Sequence, residues 1–401
     1  MSLSRRGFVS AIATALGYAG LRPDNLFAQA PPVAPQIKAA SGIPSYLTAA
    51  ARARVLEYDT MAKLSSNENP WGPIPSAMEA MNYAWKYSNR YGYPDAGLVD
   101  AISAHHGVKP ENILLGAGSG EILDVMALAF LENGKKKVLG VEPTYSTVYQ
   151  RASTIKAESI KLPLNKDYSQ SIQGFIDTAR AHADDVGFIY LCNPNNPTGM
   201  IVSKQEVKQL LDGVPPGMAV MIDEAYHHFV EDPTYGPSAS YVIEGRPVVI
   251  ARTFSKIFGI AGMRLGYAIA PPALIAKMKP YSIGSINSIV KWGAVAGLAD
   301  RAGQKKVLDE TLRLRKKAVN EIKAMGYDVL PTETNFFMVG IRREVVPVIE
   351  EFKKRGIAVG RPFPPMTQHL RVSVGTEEEM ARFATAFREI FAASRPATAG
   401  V

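Results

Sequence analysis

Arg252-Thr253-Phe254-Ser255-Lys256-Ile257-Phe258-Gly259-Ile260-Ala261-Gly262-Met263-Arg264-Leu265-Gly266 follows the β-branched run Pro247-Val248-Val249-Ile250-Ala251. The run reads as a buried strand. Small hydroxyl residues then surround one lysine, an arginine follows eight positions later, and glycines punctuate the rest. An ammonium in a mostly apolar segment is costly to bury, so the pKa of such a lysine falls. A lysine that is neutral near pH 7 can form a Schiff base. The plain alternative is a surface lysine in a strand-to-loop turn. Two upstream strands weigh against it. Ala219-Val220-Met221-Ile222 ends in Asp223-Glu224-Ala225-Tyr226, and Gly187-Phe188-Ile189-Tyr190-Leu191-Cys192 runs into Asn193-Pro194-Asn195-Asn196-Pro197-Thr198-Gly199. Three strands thus end in polar clusters, and in an open α/β sheet ligands sit at the carboxyl ends of strands.

Composition bounds the rest. The chain has 401 residues, 47% of them hydrophobic, enough for two or three domains. Its formal charge of +8 is modest for this size, and no basic stripe carries interleaved aromatics, so nucleic acid is not expected as a partner. Cys192 is the single cysteine, which excludes an intrachain disulfide and a thiolate metal cluster. The six histidines, His105, His106, His182, His227, His228 and His369, show no metal-binding spacing, and no metal site is expected.

In order, the chain alternates strands and helices. Ile113-Leu114-Leu115-Gly116 enters the glycine-rich turn Ala117-Gly118-Ser119-Gly120, and a helix follows with Ile122, Val125, Met126 and Ala129 on one face. Backbone N–H groups at such a helix start form an anion site. Val138-Leu139-Gly140-Val141 is the next strand, ahead of Glu142-Pro143-Thr144-Tyr145. Helices are expected at about 76–87, 170–181, 204–213, 287–300 and 303–325. A smaller α+β region begins near Val329, with helices at 344–355 and 377–393 and a strand at 369–374. The alternation implies a mostly parallel sheet with helices on both faces.

The motif order Asn195-Asn196-Pro197-Thr198-Gly199, Asp223-Glu224-Ala225-Tyr226, Ser255-Lys256 with Gly259-x-x-Gly262-x-Arg264, and Leu370-Arg371-Val372-Ser373-Val374-Gly375 resembles the fold-type I pyridoxal-phosphate (PLP) aminotransferases. Within them it is most similar to the histidinol-phosphate aminotransferase group, over roughly residues 60 to 390. The resemblance implies an α/β PLP-transferase fold: a large domain at 76–272 and a small domain made of 46–75 and 273–401. It implies an aminotransferase working on a small amino donor, histidinol-phosphate-like or aromatic, and a 2-oxo acid. It implies Lys256 as the cofactor-bearing lysine and Asp223 at the pyridine nitrogen. Asn196 and Tyr226 would hydrogen-bond the ring oxygen, and Tyr145 would stack on the ring. The phosphate would be held by Gly118, Ser119, Gly120, Thr253, Ser255 and Arg264. Arg371 would grip the substrate carboxylate, Arg361 would face a substrate phosphate, and Asn69 in Asn67-Glu68-Asn69-Pro70 would border the substrate. Tyr91 and Tyr93, in Arg90-Tyr91-Gly92-Tyr93-Pro94-Asp95, compete for a tyrosine that reaches across a homodimer to the neighbouring phosphate. Tyr93 is favoured because it precedes Pro-Asp. Relatives usually carry an acidic residue where Gly120 stands. A lyase, a racemase or a non-catalytic binding protein on the same scaffold are the alternatives. Intact Lys256, Asp223 and Arg371 speak against the last.

Ser4-Arg5-Arg6-Gly7-Phe8-Val9 resembles a twin-arginine export signal. The apolar run Phe8 to Leu21 is too short and weak to anchor in a membrane, and Ala28-Gln29-Ala30 fits a cleavage site, although Pro31 is a poor residue after a cut. Residues 1–30 are therefore expected to direct export to the periplasm or outside, with 31–45 a linker. The alternative is a cytoplasmic chain with a tail.

Overall fold

The computed structural model describes residues 42–392. The expected signal at 1–30 and most of the 31–45 linker lie outside the described residues. Twelve strands occur among these residues: β1 (Ala62–Leu64), β2 (Ile113–Gly116), β3 (Lys137–Glu142), β4 (Ser159–Pro163), β5 (Val186–Cys192), β6 (Ala219–Asp223), β7 (Val248–Thr253), β8 (Gly266–Ile269), β9 (Asp328–Val329), β10 (Phe336–Gly340), β11 (Ile357–Val359) and β12 (His369–Ser373).

Seven of them form one sheet in the order β2-β8-β7-β6-β5-β3-β4. All pairings are parallel except those of β8, which runs antiparallel to β2 and β7. The mostly parallel sheet with helices on both faces is the one expected. Its strands read as near-continuous apolar runs because both faces are covered. Val220, Ile222, Val248 and Ile250 join the core on one face, and Met221, Val249 and Ala251 join the core on the other. Period-2 alternation therefore decides which face each end-of-strand residue meets. Strands β4 and β8 are not apparent from the sequence. Ser159–Pro163 alternates half-buried and exposed positions at the sheet edge, and Gly266–Ile269 is only four residues long.

β9, β10 and β12 form a three-stranded antiparallel sheet, and β1 pairs parallel with β11. A third core gathers behind them, around Phe337, Phe352, Phe383 and Phe387. Helix starts follow local chemistry. Ser203 and Glu206 form a capping box for the helix Lys204–Gly213, and the Asn287 side chain caps Ser288–Ala299. The side chain of Asp300 accepts from the Gly303 N–H, so one helix ends there and Arg301–Ala324 begins. An exposed helix, Ala49–Thr60, buries none of its residues and was not expected.

Candidate active site

A cavity of about 770 Å³ opens at the carboxyl ends of β3, β5, β6 and β7, and Lys256 lines it. Since β8 runs antiparallel, its amino end reaches the same place and delivers Arg264. The lysine amine donates to the Ser66 carbonyl at 3.3 Å and lies 5.5 Å from the centre of the Tyr226 ring. Burial lowers its pKa to about 8, helped by Arg371 and opposed by Glu68 and Asp223. The turn that carries it is tightly built. Thr253 Oγ1 donates to Ser255 Oγ at 2.7 Å, and the Ser255 N–H donates to Thr253 Oγ1 at 3.1 Å. Gly259, at φ +70°, lets the backbone at Gly72 come so close that a Cβ there would overlap it. The 65–72 segment is thereby pressed against the lysine turn.

Asp223 ends β6 on the same sheet face as Thr253. It is 2% exposed, accepts from the Tyr190 hydroxyl at 3.2 Å and from the Ala225 N–H at 3.2 Å, and burial raises its pKa to about 6. At pH 7 it is ionised in a site with little water. The Tyr226 hydroxyl accepts from Asn67 Nδ2 at 3.0 Å and from Asn196 Nδ2 at 3.4 Å, and burial pushes its pKa up. Arg371, on β12 opposite Met338, donates from Nη1 to Asn196 Oδ1 at 2.7 Å and from Nη2 to the Ser65 carbonyl. It is 6% exposed, and no carboxylate pairs with it among the described residues. Burial lowers its pKa to about 10.

At the other end, Gly118 (φ +82°) turns the chain from β2 into the helix Ser119–Phe130, whose first two residues line the cavity. A Cβ at Gly118 would run into the Arg264 guanidinium. Arg264, itself at φ +57°, donates to the Ala261 carbonyl at 2.9 Å and to the Ala117 carbonyl at 3.3 Å. Arginine fork, helix start, Thr253 and Ser255 together make an anion cradle. Around Gly120 there is open space for an added Cβ.

The family model for aminotransferase class I and II matches residues 59–387. The chain belongs to that family. It is an aminotransferase whose cofactor is pyridoxal 5′-phosphate. Similar curated proteins include the histidinol-phosphate aminotransferase of Moorella thermoacetica, 35% identical over 84% of this chain and 88% of that one. Among solved structures, histidinol-phosphate aminotransferase from Sinorhizobium meliloti in complex with PLP shares 24% identity and a TM-score of 0.78, covering 88% of this chain and all of that one. L-threonine-O-3-phosphate decarboxylase from Porphyromonas gingivalis shares the fold at 20% identity and a TM-score of 0.70, over 82% of this chain and 98% of that one. Fold alone therefore does not choose between amino transfer and decarboxylation.

The residues of the aminotransferase fit the cofactor. A buried carboxylate at Asp223, an anion cradle at Gly118–Gly120 with Arg264, and an amine of lowered pKa between them match a ring nitrogen, a phosphate and an aldehyde. Tyr145, 39% exposed, lines the same cavity and offers a ring face. When bound, PLP supplies the electron sink for the bonds at the substrate's α-carbon. Asp223 would hold negative charge at the ring nitrogen, Tyr226 and Asn196 would hold hydrogen bonds at the ring oxygen, and Lys256 would hold or release a proton.

One expected residue stands elsewhere. Asn69 does not line the cavity. Its Nδ2 donates to the Ile257 carbonyl at 3.1 Å and its Oδ1 accepts from the Trp71 N–H, so it braces the loop under the lysine. Asn67, at φ +53°, is the asparagine of this segment that reaches Tyr226. Tyr93 donates to the Ile286 carbonyl at 2.9 Å, away from the chain's own cavity, and Tyr91 is fully exposed. Arg361 lines the cavity, its guanidinium stacked 4.4 Å from the Phe363 ring centre. The sequence does not single out Ser65, Ser66, Tyr190 or Phe363. Only Tyr190, a tyrosine within an apolar strand run, carried a visible signal.

Proposed function

We propose that this aminotransferase exchanges the amino group of a histidinol-phosphate-like amine, or of an aromatic α-amino acid, with a 2-oxo acid. Arg371 carries the reading: a buried cation without a carboxylate partner is costly until an anionic ligand arrives. Two of its five N–H donors are engaged, and the rest remain for a planar carboxylate. A phosphate-bearing amine lacks that carboxylate and would lean on Arg361. Relatives named for histidinol phosphate support the first donor. The test follows the cofactor from its aldehyde to its amine form after adding histidinol phosphate or an aromatic amino acid, with product analysis. If neither converts it while racemised or cleaved amino acid accumulates, the transfer reading fails.

We also propose a homodimer in which Tyr93, rather than Tyr91, is the tyrosine offered to the neighbouring site, with the large and small domains divided as the sequence suggests. Sedimentation of the holoenzyme as a monomer would remove the dimer. The paired Arg5-Arg6 ahead of an apolar run supports export, against an otherwise cytoplasmic chain. Unchanged fractionation after replacing both arginines by lysine would rule that out.

A further inference from the structure

Behind the site, on the opposite face of the sheet, lies a buried ion pair that the chemistry above does not use. Glu224 is the residue after Asp223, and Arg252 is the residue before Thr253. Alternation turns both away from the cofactor face. Arg252 donates to Glu224 Oε2 from Nε at 3.0 Å and from Nη2 at 2.6 Å; Glu224 is fully buried and Arg252 is 3% exposed. The other carboxylate oxygen accepts from the Ser238 N–H at 2.8 Å, and the Glu224 N–H donates to the Ala251 carbonyl at 2.9 Å. Arg252 sits opposite Tyr267 of β8 and donates from Nη1 to His106 Nδ1 at 3.3 Å. That contact requires the His106 proton on Nε2, which is 2.8 Å from the Tyr267 hydroxyl. The network ties β6, β7 and β8 to the helix Leu98–His106.

We propose that Glu224 and Arg252 are positioning residues: their ion pair locks the carboxyl ends of β6 and β7 in register and fixes the electric field beneath Asp223 and the Thr253–Lys256 turn. This rests on the PLP reading of the site. A full ion pair in a low-dielectric layer acts strongly on charges one residue away, and an orphaned partner acts more strongly still. The other titratable groups of the layer are His105, His106, His227, His228, Tyr235 and Tyr267, with Arg301 against His105. Burial holds the histidines neutral, lowering His106 to about 2, His228 to about 3 and His105 to about 4, with His227 also well below its ordinary value. Between pH 6 and 9 the pair therefore dominates the charge of this layer.

The experiment reads the pH midpoint of the visible band of PLP bound to the full chain, with PLP affinity and melting of the cofactor-free protein measured alongside. Glu224→Gln leaves the Arg252 cation unpaired, disfavours a proton at the site and should lower the midpoint by at least about half a pH unit. Arg252→Gln leaves the Glu224 anion and should raise it by a similar amount. The double variant, neutral at both positions, should return towards wild type. Should either single variant fail to fold, the double variant and Arg252→Lys carry the test. Lysine keeps the charge but loses the two-pronged grip, so its midpoint should stay near wild type while its PLP affinity falls. Midpoints that move in the same direction, or a double variant with a summed shift, would overturn the proposal. So would unmoved midpoints in variants that merely melt earlier, or a Lys variant that binds PLP as wild type does. A wild-type protein that takes up no PLP would instead sink the cofactor reading on which this rests.

Discussion

Arg371 Nη1 lies 2.7 Å from Asn196 Oδ1, and the amide nitrogen of the same asparagine lies 3.4 Å from the Tyr226 hydroxyl. One side chain thus bridges the buried arginine of β12 and the buried tyrosine that follows β6. A small shift of β12 would be felt at Tyr226, and Asn67, bonded to both Tyr226 and Ser373, doubles the connection. Arg371 and Tyr226 are thereby held at a fixed spacing, the kind of preorganisation on which orientation effects depend.

The first prediction concerns that arginine. In the proposed role Arg371 grips the substrate carboxylate; Arg371→Ala would then remove a two-pronged, water-poor contact worth about 2–4 kcal/mol, and kcat/KM for an α-amino acid donor should fall about 30- to 1000-fold. Arg371→Lys restores charge without the fork and should recover only part of the loss. PLP affinity should change little, because Asn196 keeps its contact with Tyr226. Wild-type rates of cofactor conversion by α-amino acids in the Ala variant would show that the carboxylate binds elsewhere.

How much of this was legible beforehand depends on distance along the chain. The parallel sheet could be read because β5, β6 and β7 are continuous apolar runs, and the residues gathered at their ends sit within a few positions of the strands. Asn196, Asp223, Tyr226 and Lys256 meet for that reason. The 65–72 segment was harder. Its asparagines alternate, and only the left-handed backbone at Asn67 and the collision that Gly259 avoids with Gly72 decide which one turns inward. The Ser65 and Ser66 carbonyls were invisible because a backbone oxygen carries no sequence signature. β8, with four residues, gives too short a pattern to distinguish from a loop.

A second prediction separates two glycines of the anion turn. Gly118 has φ +82° and its missing Cβ leaves room for the Arg264 guanidinium, whereas Gly120 faces open space. Gly118→Ala costs about 1–3 kcal/mol of backbone strain at a positive φ with extended ψ and displaces the arginine, so PLP affinity should drop at least about tenfold. Gly120→Ala should bind PLP within about threefold of wild type. Titration of the two cofactor-free variants with PLP, followed by absorbance, decides the matter. Equal losses in both would mean that the cradle is not built around Gly118.

The last prediction sets function against stability at Asp223. Its carboxyl titrates near 6 instead of 3.8, mainly because burial penalises the anion. A carboxyl raised in the folded state costs stability once it ionises. The cost is absent below the unfolded pKa, near 4, grows between 4 and 6, and is complete above 6. Its full size is about 3 kcal/mol for a shift of this extent. An asparagine in its place would carry no such charge, and the amide can still accept from the Ala225 N–H while the Tyr190 hydroxyl turns to meet its nitrogen. Asp223→Asn should therefore make the cofactor-free protein more stable to denaturant at pH 7.5, with the gain shrinking to nothing near pH 4. The same change removes the anion that would face the ring nitrogen, so PLP should bind more weakly and amino transfer should nearly cease. Wild-type PLP affinity should likewise weaken as pH falls through about 6, where the carboxylate takes up its proton. A variant that is no more stable at pH 7.5, or equally stabilised at pH 4 and 7.5, would show that Asp223 is not a strained anion in the resting fold. Its role at the ring nitrogen would then need a different physical basis.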